Sequence, residues 1–311
     1  MEKINLLAVD GNNIAHRAFH AFNGRNLTNS DGNDISAVYG LISTFTKAIK
    51  YMESINLPPT HMIVAFDPRT CWRNDEYSEY KAGRGETDER LREQLNNFVE
   101  TLTGIGVPAV LVDGFEADDV LASAAKKVSD LGGGTAILSG DRDLLQMVGE
   151  KTLVLAPQNG GTFKVMNRAA VVEKYNVEAD RYLDFAALRG DKSDNLPGII
   201  GVGPVKAEKL LAEYGGALEA LEASKETPEA VDAIAGGGTS KKMIATASNL
   251  ERNMRLMKLS CDVELNIEDF KPQAELTTDG MAKLELVRLA EPIAEALATM
   301  TVRRVFQPKA A

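Results

Sequence analysis

Short apolar runs alternate with amphipathic helical patterns along the first half of the chain. The runs cover residues 4–9, 62–66, 109–112, 135–138 and 153–156. Continuous apolar runs of this kind are typical of strands that are buried on both faces of a parallel sheet. Apolar residues at helical spacing predict helices at residues 34–55, 87–102 and 117–131. Because helices separate the strands, the pattern predicts an α/β fold with a mainly parallel central sheet flanked by helices.

Beyond about residue 167 the pattern becomes helical. Helical spacing occupies residues 167–176, 180–188 and 205–214. The glycine-rich stretch from Gly236 to Ser240 predicts a mobile loop. The chain is therefore divided into an α/β core at residues 1–178, a helical region at 179–265 and a C-terminal extension at 266–311. Its weakly basic end, residues 303–309, is predicted to be a solvated tail.

Nine acidic residues are grouped around strand ends and helix starts. They are Asp10, Asp67, Glu116, Asp118, Asp119, Asp141, Asp143, Asp191 and Asp194. Open α/β sheets gather their ligands where strands end, and carboxylates that converge there repel one another unless a cation neutralises them. Hard divalent ions prefer oxygen ligands, so the group predicts a pair of Mg²⁺ ions, which Mn²⁺ can replace, acting on a phosphodiester.

The acids of residues 116–119 also have a structural interpretation. Glu116 and Asp119 lie three positions apart and share one helix face, whereas Asp118 points elsewhere. Acids in the first turn of a helix complement its dipole, and Asp141 alone could be an N-cap. The combination with Asp10 and Asp67 in one α/β pattern favours the metal site.

Composition sets limits on the class of protein. The chain has 311 residues, 44% of them hydrophobic, and a formal net charge of −10. The nine carboxylates account for nearly all of that charge, so it does not exclude a polyanionic partner. Cys71 and Cys261 form no CxxC pair, so neither a zinc site nor a disulfide framework is indicated. The apolar runs are too short for a signal peptide or a membrane span, and we expect a cytoplasmic protein with no membrane partner.

The segment LPGIIGVGPVKAEKLL, residues 196–211, predicts a hairpin that contacts phosphates. Gly201 and Gly203 lie between two prolines and precede a helix, so backbone amides can approach a phosphate closely. Lys206 and Lys209 would lie beside that backbone. The pattern is typical of a helix-hairpin-helix, which grips duplex DNA without reading its sequence; an ordinary glycine-rich connection between helices is the alternative.

Residues 69–92 are dense in charge and contain three aromatic rings. Cations interleaved with rings suit an unpaired nucleic-acid strand, whose bases stack and whose phosphates pair. A solvated helix face is the alternative from composition alone. Because Asp67 feeds directly into this segment, Arg73 and Lys81 are predicted to reach the metal site.

The motifs in this order resemble the bacterial and phage 5′→3′ exonuclease and flap endonuclease family, which also forms the N-terminal part of DNA polymerase I. The resemblance covers about residues 1–265 and rests on AVDGNNIAHRAFHAF, VAFDP, WRNDEYSEYKAGR, FEADDV, LSGDRDLLQMV and DFAALRGDKSDNLPGIIGVGPVKAEKLL. It implies a PIN-like nuclease core with a helical arch at about residues 69–95, and a free-standing enzyme with no polymerase attached.

The resemblance also implies residue roles. The first metal site would comprise Asp10, Asp67, Glu116 and Asp118. The second would comprise Asp118, Asp141, Asp143 and Asp194, assisted by Asp119 and Asp191. Lys81 and Arg73 would act on the scissile phosphate, and the remaining DNA contacts would come from Arg17, Tyr80, Arg84, Gly201, Gly203, Lys206 and Lys209. The carbonyls of Ile199 and Val202 would hold a potassium ion. His16 departs from the aromatic residue frequent in the family.

These expectations describe a two-metal nuclease of DNA 5′ flaps, nicks and 5′ ends, acting in replication or repair as a monomer and open to contacts with replication proteins. A haloacid dehalogenase phosphatase needs DxD, and this chain has Asp10, Gly11 and Asn12. A catalytically silent DNA-binding module would have lost carboxylates. An RNase of related fold remains an alternative, because the carboxylates do not distinguish deoxyribose from ribose.

Overall fold

A computed structural model describes residues 3–22 and 27–302 of the chain. The strands are β1 Asn5–Asp10, β2 His61–Phe66, β3 Ala109–Leu111, β4 Gly134–Leu138, β5 Thr152–Pro157, β6 Phe163–Met166, β7 Gly190–Asp191 and β8 Leu196–Pro197. The first six form one sheet in the order β3-β2-β1-β4-β5-β6. Its strands are parallel except β6, which runs antiparallel to β5. This architecture confirms the predicted fold class.

Helices cover both faces of the sheet and make up most of the described chain beyond residue 167. They are α1 Gly11–Phe22, α2 Ser36–Ser54, α3 Trp72–Glu76, α4 Glu89–Gly104, α5 Ala117–Asp130, α6 Arg168–Tyr175, α7 Tyr182–Arg189, α8 Pro204–Tyr214, α9 Ala217–Glu226, α10 Pro228–Ala235, α11 Thr239–Ala245, α12 Ala247–Leu256, α13 Thr277–Lys283 and α14 Val287–Val302. None of those helices has the length and apolarity that crossing a bilayer requires.

Side chains of β1 alternate between two cores, as expected of a strand buried on both faces. Leu6 and Ala8 pack with α5 and with the helical region that follows residue 176. Leu7 and Val9 pack on the opposite face with α1, α2, α4 and α14. The strand order reverses between β1 and β4, so the carboxyl ends of these two strands border the crevice where α/β sheets place ligands.

Several elements go beyond the sequence-based expectations. Helix α1 begins directly after Asp10, β6 adds an antiparallel edge, and α13 and α14 pack their apolar side against the α2 face of the core. The expected mobile loop around Gly236 is instead a short turn between α10 and α11. The predicted tail at residues 303–309 lies outside the described residues.

Gly11 is required where β1 turns into α1. A β-carbon at this position would lie 2.4 Å from Cε1 of Phe66, whose ring stacks on Phe98 at 5.2 Å. Because that ring has no room to move, we expect Gly11→Ala to lower the free energy of unfolding by about 1–3 kcal/mol. Gly104→Ala is the matched control, since a β-carbon there meets nothing within 4 Å. Urea unfolding of both variants measures the difference, and equal stability would contradict the close packing.

Candidate active site

The carboxyl ends of β1, β2 and β4 are tied together by polar contacts. Asp10 is buried, and its carboxylate accepts hydrogen bonds from the Ser139 hydroxyl at 2.6 Å and the Asn13 amide at 3.0 Å. Asp67 Oδ1 accepts from the amide of Ala117 at the start of α5, at 2.8 Å. The Asp67 amide donates to Asn12 Oδ1 at 3.0 Å. The start of α1 therefore fixes the positions of the first two predicted metal ligands.

Seven of the nine carboxylates line two adjoining cavities. The larger cavity, of about 720 Å³, is lined by Asp10, Asp67, Glu116, Asp118 and Asp141, together with residues of the 69–95 segment. The smaller, of about 20 Å³, is lined by Glu116, Asp118, Asp141, Asp143 and Asp194. Asp119 and Asp191 line neither. This division resembles the two predicted ligand sets, with Glu116, Asp118 and Asp141 bordering both cavities.

Burial and mutual repulsion raise the pKa of Asp10, Asp118 and Asp143. Burial, reinforced by the charge of Asp67, raises the pKa of Asp10 to about 7. Burial and the charges of Asp141 and Asp194 raise the pKa of Asp143 to about 8. For Asp118, burial and three neighbouring carboxylates raise the pKa well above its usual value. A bound cation would relieve all of these shifts together.

Two cations lie against the carboxylates. The Lys81 ammonium pairs with Glu116 Oε1, and the Arg84 guanidinium pairs with Asp194 Oδ1 at 2.7 Å. Burial acts to lower the pKa of Lys81, but the charges of Glu116 and Asp194 outweigh it and raise the pKa, so the side chain stays protonated. Lys81 also has a φ of 58°, in the left-handed region, and its amide donates to the Asp194 carbonyl at 3.0 Å. Strained backbone held in this way is frequent at functional sites.

Tyr80 lies among the carboxylates. Its ring is buried, and its hydroxyl lies 3.0 Å from Glu116 Oε2 and 3.2 Å from Asp194 Oδ2. Burial and these two carboxylates raise the pKa of the hydroxyl, so it acts as a proton donor to either carboxylate. Tyr80 lines both cavities, and its hydroxyl bridges Glu116 and Asp194.

Arg73 and Asp119 bind each other beneath the carboxylates. Arg73 is 2% exposed and Asp119 is 0% exposed, and they form a two-pronged ion pair with distances of 2.6 and 2.8 Å. Arg73 Nε donates to the Leu256 carbonyl at 2.7 Å, while Asp119 Oδ1 accepts from the Ser260 amide at 2.9 Å. Arg73 borders the smaller cavity, but its guanidinium is occupied by these contacts, whereas Asp119 lines neither cavity. Glu116 lies 3.5 Å from Arg73 Nη1, which confirms that Glu116 and Asp119 share a helix face.

The structure places two further predicted residues away from the cavities. Asp191 lies 3.6 Å from Arg142 and 4.0 Å from Arg189. Burial would raise its pKa, but hydrogen bonds from Ser193 and these two cations lower it. Arg17 is exposed and its guanidinium lies 3.4 Å from Asn159 Oδ1, at the turn between β5 and β6.

The donor set fits hard divalent cations. Carboxylate oxygens converge from β1, β2, α5 and the loop after β4, and Mg²⁺ prefers such ligands. Within residues 3–22 and 27–302, no three His, Cys, Asp or Glu side chains are already spaced to hold a metal ion. The carboxylates instead bond to protein donors, among them Lys81, Arg84 and the Ser139 hydroxyl. Metal binding would therefore require these donors to release carboxylate oxygens.

The hairpin after β8 connects to α8 through Gly201 and Gly203. Gly201 has a φ of 76°, and Gly203 precedes Pro204 at the start of α8. Ile199 and Val202 are buried, and the Val202 amide donates to the Ile199 carbonyl at 3.0 Å. Lys209 is exposed. Lys206, however, is half-buried, and its ammonium donates to Thr239 Oγ1 at 3.2 Å rather than lying at the hairpin.

Three polar residues at the site have no role in the sequence-based assignment. Asn12 and Asn13 accept from the amides of Asp67 and Gly140, at 3.0 and 2.9 Å. Ser139 accepts from the Asp141 amide and donates to Asp10, so it links two carboxylates. The sequence signal that identifies Asn12, Asn13 and Ser139 is their position close to Asp10 and Asp141, directly after buried strands.

Two family models match consecutive parts of the chain. The N-terminal resolvase-like domain of 5′-3′ exonucleases matches residues 5–176, and their C-terminal SAM fold matches residues 177–277. DNA polymerase I of Mycobacterium tuberculosis is 37% identical over 265 residues, covering 85% of this chain and 28% of that protein. The thermostable DNA polymerase I of Thermus aquaticus is 38% identical over 271 residues, covering 87% and 30%. The chain thus spans less than a third of the length of these relatives.

Solved structures share the fold at low sequence identity. The T5 D15 protein co-crystallised with metal ions superimposes with a TM-score of 0.63 and 20% identity, covering 95% of this chain and 99% of that chain. The catalytic core of Rad2 in complex with a DNA substrate gives a TM-score of 0.57 and 16% identity, covering 96% and 93%. The sheet and the helical region are therefore arranged as in these proteins.

Proposed function

Since this chain belongs to the 5′-3′ exonuclease family, we propose that it hydrolyses DNA phosphodiesters at 5′ ends, nicks and 5′ flaps. The observation that carries the proposal is the convergence of seven carboxylates around two cavities, with Lys81 and Arg84 at the same place. Negative charge concentrated at the carboxyl edge of an α/β sheet requires cations, and a phosphodiester brings its own negative charge to them.

We propose two divalent ions, Mg²⁺ or Mn²⁺, as the cofactors. Asp10, Asp67, Glu116 and Asp118 would hold one, and Asp118, Asp141, Asp143 and Asp194 the other. Bound there, such ions would supply Lewis acidity for an in-line displacement at phosphorus. The T5 5′-exonuclease has been crystallised with divalent metal ions, and the same cofactor class suits the oxygen donors of this chain.

Lys81 and Arg84 would contribute fixed positive charge next to the reacting phosphate. Both are ion-paired to predicted metal ligands, Glu116 and Asp194. With those carboxylates neutralised by bound cations, Lys81 and Arg84 would become available to oxygens that gain negative charge in the transition state. Lys81 is fixed by its own backbone contact with Asp194, so its side chain starts from a defined position.

The hairpin would hold duplex DNA by its phosphates. Within the described residues, the amides of Gly201 and Gly203 donate to no protein acceptor, so both can serve a phosphate oxygen. The T5 D15 flap endonuclease and the Rad2 catalytic core have been crystallised with DNA. We extend that substrate class to this chain, with the hairpin setting the distance from the duplex to the carboxylates.

One comparison tests the proposal. Flap, nicked, single-stranded and RNA-containing substrates, each labelled at the 5′ end, are incubated side by side with the protein in Mg²⁺. We expect cleavage of the DNA flap and nick, with no cleavage after chelation of the metal. Preference for the RNA-containing substrate would favour the alternative function as an RNase, and binding without cleavage of any substrate would contradict the proposal.

Lys81→Ala should slow single-turnover cleavage by about 10² or more, the range for loss of one group that stabilises transition-state charge. Mg²⁺ affinity, measured by calorimetry, should be unchanged or higher, because Glu116 loses a competing cation. Lys126→Ala is the control, since Lys126 pairs with Asp130 at 2.6 Å on the exposed side of α5. Loss of Mg²⁺ binding with normal chemistry at saturating metal would show that Lys81 supports the metal site instead.

A further inference from the structure

A second glycine turn lies beside the hairpin. Gly236, Gly237 and Gly238 join α10 to α11, and the first and last of them have φ values of 94° and 75°. Helices α8, α9, α10 and α11 pack against one another. Consequently the hairpin of Gly201 and Gly203 and the second turn are neighbours, although 33 residues separate the contacting pair Lys206 and Thr239.

Two amides at the second turn already donate to a carboxylate. Asp232 Oδ2 accepts from the Gly238 amide and Asp232 Oδ1 from the Ser240 amide, both at 2.8 Å. These backbone hydrogen bonds lower the pKa of Asp232, which keeps a negative charge at the turn. A phosphate would have to displace that carboxylate. The first hairpin is the opposite case, because the amides of Gly201 and Gly203 have no acceptor within the described ranges.

Each of the two turns is followed by a helix with a lysine whose ammonium lies at the other turn. Lys206 lies on α8, and its ammonium donates to Thr239 Oγ1. A β-carbon on Gly236 would lie 3.6 Å from Lys206 Nζ. Lys242 lies on α11, and its ammonium lies beside the hairpin. A β-carbon on Gly201 would lie 3.3 Å from Lys242 Nζ. Lys242 is exposed, and no carboxylate of residues 3–22 or 27–302 lies within ion-pair distance of it.

From this crossing we infer that Lys242 is the cation that meets a duplex phosphate at the hairpin, and that Lys206 is a positioning residue that ties the two turns together. The inference rests on the proposed function. Free amides and an unpaired ammonium converge at Gly201, which is the combination that binds a phosphodiester without reading sequence. Lys206 is closer to the hairpin in sequence than Lys242. Its ammonium, however, lies at the second turn, where the Asp232 carboxylate accepts the backbone hydrogen bonds.

Salt dependence of binding separates the two lysines. Affinity for a duplex-containing flap is measured over a range of salt concentrations for the wild type, Lys242→Ala, Lys206→Ala and Lys241→Ala, with the last as a neighbouring exposed control. Loss of one phosphate contact shrinks the slope of log affinity against log salt by about one unit. We expect that change for Lys242→Ala, a retained slope for Lys242→Arg, and no change for Lys241→Ala. For Lys206→Ala we expect an unchanged slope and a lower melting temperature.

The outcomes are distinguishable. A reduced slope for Lys206→Ala together with a wild-type slope for Lys242→Ala would overturn the inference and leave the nuclease proposal intact. A smaller slope for Lys241→Ala as well as for Lys242→Ala would mean a diffuse basic surface, which also overturns it. Wild-type protein that neither binds the duplex nor cuts the flap would remove the proposed function, and the assignment of Lys242 with it.

Discussion

Asp118→Asn is expected to abolish cleavage while leaving the fold intact. Asp118 borders both cavities, as Glu116 and Asp141 do, and it is the one carboxylate assigned to both proposed metal sites. Losing it removes charge from both, and we expect single-turnover cleavage to fall by at least about 10³-fold. Stability should be unchanged or slightly higher, because the repulsion from Asp141, Asp10 and Asp67 that raises the pKa of Asp118 disappears.

The measurement combines single-turnover cleavage, duplex binding and thermal unfolding on one preparation. Asp130→Asn, at the exposed end of the same helix, is the matched control and should cleave normally. Duplex affinity should survive in Asp118→Asn, since the hairpin is separate from the carboxylates. Near-normal turnover at saturating Mg²⁺ would be incompatible with a shared ligand.

The largest effect on stability is expected for Arg73→Ala. It leaves the fully buried Asp119 side chain without its two-pronged partner, and breaking such a buried pair costs about 3–5 kcal/mol. Two carbonyl contacts to residues 256 and 258 are lost as well. Denaturant unfolding should show the fall in free energy directly. Arg92→Ala, which removes an exposed pair with Glu89, should change stability by no more than about 1 kcal/mol.

A double replacement separates packing from catalysis. Arg73→Met combined with Asp119→Leu removes both charges and should recover much of the stability that either single change loses. If Arg73 contacted the scissile phosphate, Arg73→Ala would slow chemistry and leave unfolding unaffected. That result would restore the role predicted from the sequence.

The sheet could be predicted because its strands carry their own signal. β1 and β2 contain the unbroken apolar stretches 6–9 and 62–66, and a strand buried on both faces leaves that signature whatever surrounds it. Helix α1 gave no comparable signal, since Gly11, Asn12 and Asn13 at its start are typical of a turn. Their helical conformation depends on bonds to Asp10, Asp67 and Gly140, which only the folded sheet brings together.

In the site, the grouping of the carboxylates could be predicted from the sequence, and the availability of the cations could not. Carboxylates at strand ends converge by topology alone, so their grouping was accessible from Asp10, Asp67 and Asp141 in sequence. The sequence does not show which cations lack a protein partner, because those partners are groups far away along the chain. Arg73 is captured by a carbonyl 183 positions away, and Lys206 by a hydroxyl 33 positions away. The local sequence therefore does not distinguish Arg73 or Lys206 from Lys81.

The contacts of Arg73 and Asp119 have a consequence for how the molecule comes apart. The segment after α12 is bonded to the α/β core through Leu256, Ser260 and Asp119, and the Lys81 amide is bonded to Asp194. Neither of the two consecutive segments that the family models recognise can detach without exposing a buried charge. We therefore expect the two parts to unfold together, so that opening the helical part would separate Asp194 from the other carboxylates in the same event.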